Sequence, residues 1–247
     1  VTELAPGGWA LLAVAALIVG LSKAALPGAS TLAVAIFAAI LPAKQSTATL
    51  LVLLIVGDIF ALWAYRRHAD WRALARLVPA VAVGLVLGAL FLVVADDSWV
   101  RRTIGVILLV LIAVTLWRRY GRPERTVLER PRWAEATAYG SLGGFTTMVA
   151  NAGGPVMSMY FLASGFRVMA FLGTAAWFFA LVNLTKLPIM FGLGLITPGT
   201  LLIDAFLVPA VLVGAFGGRL IARRIDQTWF ERIVIALTIV GALYLLV

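Results

Sequence analysis

A chain of 247 residues that is 63% hydrophobic and only 13% charged, with mean hydropathy +1.05, is not an ordinary soluble domain. Its formal charge of +9 does not argue for a nucleic-acid partner, because the basic residues stand at the ends of apolar segments, where membrane topology places them. The absence of cysteine excludes disulfides, thiolate chemistry and cysteine metal sites.

Ten apolar segments are predicted, near 9–26, 28–41, 45–65, 73–95, 99–117, 134–150, 154–165, 168–192, 199–222 and 228–247. The first is flanked by Thr2 and Glu3, not by basic residues, and is expected to be a retained span and not a signal peptide. The second and seventh look too short for straight spans and follow two interruptions, Gly20 to Ser30 and Met148 to Pro155. Each interruption joins two full spans or a re-entrant pair, and either way returns the chain to the same side.

The two interruptions answer each other. Aligning Pro27 with Pro155 sets Lys23 opposite Asn151. Further on, Leu77-Val78-Pro79-Ala80-Val81 recurs as Leu207-Val208-Pro209-Ala210-Val211, an offset of 130 at which Gly84, Gly88, Asp96 and Trp99 also find Gly214, Gly218, Asp226 and Trp229. At an offset of 125, Asp58 faces Asn183 and Thr49 faces Thr174. The chain therefore reads as all-α and polytopic, with two repeats of about five helical segments, 1–117 and 134–247, joined by a basic cytoplasmic linker at 118–133. Five segments per half insert the second copy upside down, with short or broken helices at the repeat interface. Arg66, Arg67, Arg72, Arg76, the six arginines from Arg118 to Arg132, Arg167, Arg223 and Arg224 then share the cytoplasmic face, with Lys44, Arg101 and Arg102 as the minority opposite. Both termini are expected outside the cytoplasm.

Inverted halves with Gly/Pro-broken segments at matching positions point to a transport site. A broken helix frees backbone N–H groups, and its positive end can face an anion at membrane depth. Gly28, Gly153 and Gly154 allow close backbone approach; Pro27 and Pro155 restart helices without needing an N–H. Ser22, Ser30 and Thr31 offer hydroxyls. Lys23 either faces a cavity holding an anion or snorkels to water. Asp58, inside the third segment, is the candidate proton carrier, a counter-ion for lysine or a polar contact in helix packing, with Asn183 as its counterpart. Lys186, on the face of Asn183 by its i+3 spacing, either receives the anion or snorkels. Thr49 and Thr174 are expected to bond within their own helices, and Asp204 to be interfacial. His68 stands alone beside Arg66 and Arg67, so no histidine metal cluster, cofactor or catalytic residue is assigned.

The stretches GLSKAALPG, Val56 to Pro79, Gly143 to Leu162 and Gly173 to Pro188 resemble the TauE/SafE family, also called the toluene sulfonate uptake permeases. A Gly-x-Gly-Gly-Gly motif is frequent in each half of that family; here Ala152-Gly153-Gly154 keeps part of it, and Lys23-Ala24-Ala25-Leu26 departs from it. The resemblance implies a bacterial inner-membrane exporter of sulfite, a short sulfonate or a related small sulfur anion, working by alternating access. A membrane-embedded enzyme acting on a lipid or phosphate ester and an anion channel are the alternative readings. Coupling to a proton and the oligomeric state stay open.

Overall fold

A computed structural model describes residues 5–25, 29–120, 133–166 and 168–221. Pro27 and Gly28, the linker from 121 to 132, Arg167, and the tenth segment with Asp226 and Trp229 lie outside the described residues. Within them the chain is entirely helical: α1 (Pro6–Ala25), α2 (Ser30–Ile40), α3 (Ala43–Tyr65), α4 (Trp71–Val94), α5 (Asp97–Tyr120), α6 (Trp133–Ala150), α7 (Gly153–Ala163), α8 (Val168–Gly192) and α9 (Pro198–Ile221). A 3-10 turn at Arg66–His68 links α3 to α4, with His68 exposed.

Five helices are long and apolar enough to cross a membrane: Pro6–Ala24, Ala43–His68, Trp71–Val94, Met169–Gly192 and Pro198–Leu220, with hydropathies from 1.4 to 2.8. The chain is therefore a multi-pass membrane protein. By contrast α2 and α7 have 11 residues each, a rise of about 16 Å, far short of a bilayer's hydrocarbon core. The expectation of short helices after both interruptions is met by these two.

Of the five spans, α3 and α8 lie deepest in the bundle, at 61% and 56% buried against 39% for the others. They run antiparallel. The end of α3 meets the start of α8, where the Trp177 indole N–H donates to the Arg66 carbonyl at 3.2 Å and the Asp70 N–H donates to the Thr174 hydroxyl at 2.9 Å. Thr174 thus bonds to the turn before α4, not within its own helix as expected, because the antiparallel packing of α3 and α8 brings that turn to it. The opposite face gathers the start of α3, the α4–α5 turn and the start of α9. There the Ala43 and Lys44 N–H groups donate to Asp97 at 3.0 and 2.9 Å, which caps an otherwise unsatisfied helix start. At the same turn, the Trp99 N–H and the Ser98 hydroxyl hold the exposed Asp96 carboxyl below its usual range.

Around this pair α1 packs along α9 and α6 along α4. Glycine permits both contacts. A Cβ on Gly214 would come within 2.1 Å of the Leu17 carbonyl oxygen, and one on Gly84 within 2.1 Å of the Ser141 carbonyl oxygen. The outward faces of α4 and α9 are correspondingly apolar: Val83, Val86 and Leu90 on one, Val213, Phe216 and Leu220 on the other, all exposed as lipid requires. Gly214→Ala is expected to destabilise the protein by about 1–3 kcal/mol through overpacking. Gly217→Ala, where the added carbon meets nothing within 4 Å, is the control and leaves the melting temperature in detergent unchanged or raised.

Candidate functional site

Both interruptions end inside the bundle. At the second, α6 stops because Asn151 takes φ 52°, the left-handed region that asparagine enters more readily than most residues. The Asn151 and Ala152 N–H groups turn back to the Thr147 and Thr146 carbonyls, at 3.0 and 3.2 Å. Its side chain crosses to the other half, where its amide N–H donates to the Thr47 carbonyl of α3 at 2.8 Å. At the first interruption, the Ser30 N–H that opens α2 donates to the Ser22 hydroxyl of α1 at 3.1 Å.

Between the two lies a cavity of about 30 Å³, room for about two water molecules. Ser22, Lys23 and Ser30 line it from the first interruption; Thr147, Asn151 and Gly154 from the second; Asp58 of α3 and Asn183 of α8 close it, with Phe179, Ala175 and Ala176 as its apolar wall. The starts of α2 and α7 therefore border it with Ser30 and Gly154, placing the positive ends of two helices at its edge. Gly153 and Pro155 sit in the first turn of α7 and do not line it.

A continuous polar chain crosses this centre. Lys23 Nζ meets Asp58 Oδ1 at 2.5 Å, with side chains 10% and 3% exposed, and also stands over the Phe179 ring, 4.7 Å from its centroid. The aliphatic stem of Lys23 lies against Gly57, where a Cβ would approach its Cγ to 2.8 Å. The Asn183 amide donates to Asp58 Oδ2 at 2.7 Å, so both carboxylate oxygens are engaged. Lys186, completely buried, donates to the Thr147 carbonyl at 2.6 Å, to Asn151 Oδ1, and at 3.5 Å to Asn183 Oδ1. The snorkelling alternative for either lysine does not hold: Lys23 turns to Asp58 and Lys186 to the end of α6, whose carbonyls carry the negative end of that helix.

Counting formal charges, the network holds two ammonium groups and one carboxylate. Lys23 is matched; Lys186 has only neutral oxygens and a helix dipole. Among the described residues its acceptors are a carbonyl, two amides and the Thr147 hydroxyl, and none is a carboxylate. With Lys186 protonated, this formal count leaves one positive charge in excess, which an entering monoanion would compensate.

Sequence reasoning named Ser22, Lys23, Asn151, Gly154, Asn183, Lys186 and Asp58, and the fold brings them together. It missed Thr147, which the Thr147-to-Asn151 spacing of four residues on one helix marks as a neighbour, and Phe179. It also missed Thr47, for which the sequence holds no signal, because its carbonyl is recruited by Asn151 from 104 residues away. One expectation is corrected: the Thr49 hydroxyl does not bond within α3 but has no partner among the described residues. Asp204, expected near the membrane interface, is 2% exposed within the bundle. α9 packs against both α1 and α3.

A family model described as Sulfite exporter TauE/SafE matches residues 12–245. Comparison with curated proteins and with solved structures gave no match.

Proposed function

We propose that this chain, which belongs to the TauE/SafE family of membrane transporters and not to an enzyme family, exports a small oxyanion of sulfur, sulfite or a short organosulfonate, held at the cavity between its two interruptions. The observation that carries this reading is the buried network of two lysines and one carboxylate, built from both halves of the chain. Lys186 supplies the charge, Asn151 and Asn183 supply amide donors on reorientation, and Ser22 and Ser30 with the starts of α2 and α7 supply hydroxyl and N–H donors. In this arrangement Lys23 is held by Asp58, which acts as its counter-ion.

The cavity has room for about two waters, too little for a hydrated anion, so passage requires the bundle to open around it. Alternating access follows if the 1–117 and 134–247 halves are oppositely inserted repeats. Four features support that. The counterpart helices α3 and α8 are antiparallel; the α1–α9 contact has its counterpart in α6–α4; Gly84 and Gly214, matched at an offset of 130, make the same backbone approach; and Asp58 meets its own counterpart Asn183. Counterpart residues touch where a two-fold relation between halves passes through the contact. The face of exposed Arg66, Arg67, Arg72 and Arg76 is then cytoplasmic.

The test is counterflow in proteoliposomes, with radiolabelled sulfite or isethionate outside and an excess of the same unlabelled anion inside. Saturable exchange, lost in Asn151→Ala, is the expected result. Flux that grows linearly with concentration would make the protein a channel, and no exchange of any sulfur oxyanion would remove the substrate assignment.

A further inference from the structure

Asp204 belongs to no part of the network above. It lies in α9, 2% exposed, and neither carboxylate oxygen has a hydrogen-bond partner among the described residues. At the offset of 130 its counterpart in α4 is Leu74, itself a buried core residue. The same place in the fold is thus filled by a leucine in one half and a carboxyl group in the other. Packing does not require the acid, and a buried polar group without a partner is costly.

The surroundings point to what it binds. One turn before Asp204 on the same face of α9 is Thr200, about 6 Å away along the axis. Thr200 lines a second cavity, of about 320 Å³, with Lys44 and Gln45 of α3, Asp97 of α5 and Thr197. That shared cavity, together with Phe60 stacked on Phe216 at 4.9 Å, sets α3 and α9 parallel and brings Thr49 to the level of Ala205, the residue after Asp204. Thr49 is the other buried side chain on this seam with no partner, and it too lies one turn below a cavity residue, Gln45. In the opposite half the equivalent seam is closed by the bond from the Asp70 N–H to Thr174, the counterparts of Thr200 and Thr49. Here the Thr200 N–H turns instead to Thr197 at 3.2 Å, and the seam is left without that bond.

Among the described residues no other charge serves Asp204. Of the helices packed against α9, α1 offers one titratable group, Lys23, about 20 Å deeper by the register of Ala24 against Gly218, and already paired. On α3, Lys44 stands at the cavity, Asp58 is engaged by Lys23 and Asn183, and Tyr65 lies at the far end. On α9 itself Arg219 stands over Trp63. A metal cation would need several ligands around it, and among the described residues no group of three or more acidic, histidine or cysteine side chains gathers here; a proton needs none.

We propose that Asp204 is a proton-binding site, reached from the cavity between the starts of α3, α5 and α9, whose loading and release accompany the anion's passage. Opening of the α3–α9 seam gives the carboxyl water to release its proton to; closing it requires the proton back. The proposal rests on the transport reading for its role, but the site itself is testable without transport.

Infrared spectroscopy of the purified full-length protein at pH 7 is expected to show a protonated-carboxyl C=O band that shifts in D2O, is absent from Asp204→Asn and Asp204→Leu, and persists in Asp58→Asn. Asp204→Leu, which copies the residue of the other half, is expected to melt no lower than wild type. In proteoliposomes, Asp204→Asn should lose at least tenfold of isethionate uptake driven by a pH gradient while counterflow of the same anion stays within twofold. A band that is missing in wild type, or that survives in Asp204→Asn, overturns the proposal, and a band lost in Asp58→Asn instead returns the proton to Asp58. Stabilisation by sodium over choline chloride that disappears in Asp204→Asn would make the ligand a sodium ion and overturn it equally. Wild type that shows the band but no counterflow would refute the transport reading and leave the proton site standing.

Discussion

Lys23→Ala is expected to destabilise the protein by about 3–5 kcal/mol, the largest loss from any single truncation in the polar centre. The change removes one half of a desolvated ion pair and leaves Asp58 buried, with a single neutral donor from Asn183. It also strips the stem that fills the space over Gly57 and the contact with Phe179. Removing both charges together should be far milder, because the uncompensated carboxylate is what destabilises the single variant. The measurement is thermal or denaturant unfolding in detergent of Lys23→Ala, Asp58→Asn and the double variant, with the double more stable than Lys23→Ala alone. Equal stability of Lys23→Ala and wild type would mean that the pair is not desolvated and that Lys23 is not committed to Asp58.

The second large effect falls on transport and not on the fold. Lys186→Met keeps the length of the side chain and removes a charge that has no carboxylate to match it. Inserting a lysine at membrane depth costs about 2.5–3.5 kcal/mol, so the methionine variant is expected to melt at or above the wild-type temperature. Its anion exchange is expected to fall by about 30-fold or more, since a charged contact to a buried anion is worth about 2–5 kcal/mol. The contrast between the two lysines is what distinguishes them: loss of Lys23 is read mainly in stability, loss of Lys186 mainly in flux. Lys186→Met with wild-type exchange would place the anion elsewhere and sink the charge argument for this site.

The same contrast shows why a membrane transporter keeps such groups. In water an ammonium and a carboxylate at the surface contribute little, whereas in this centre each group must find a partner from across the molecule. Asn151 illustrates it, bonding Thr47 with its amide N–H and Lys186 with its oxygen, and so tying the end of α6 to both central helices. A change at any of these positions alters the balance between an occluded centre and one open to either face.

Much of this was legible in the sequence. Hydropathy marks the spans, because a bilayer admits only helices with long apolar stretches. The glycines and prolines mark the interruptions, because no other residues leave a helix so readily. The offset that aligns Asp58 with Asn183 already named two residues that prove to be 2.7 Å apart. Tertiary structure alone decided which groups are matched and which are not. A helix in a membrane is apolar on its lipid side and on its packed side alike, so α3 and α8 carry no polar stripe from which an inward face could be read. Hence the sequence left Lys23 and Lys186 each divided between a cavity and the membrane surface, and put Asp204 at an interface. Only the packing of α1 along α9, α6 along α4 and α3 between α8 and α9 brings Lys23 to Asp58 and leaves, among the described residues, Lys186 without a carboxylate and Asp204 enclosed with no hydrogen-bond partner.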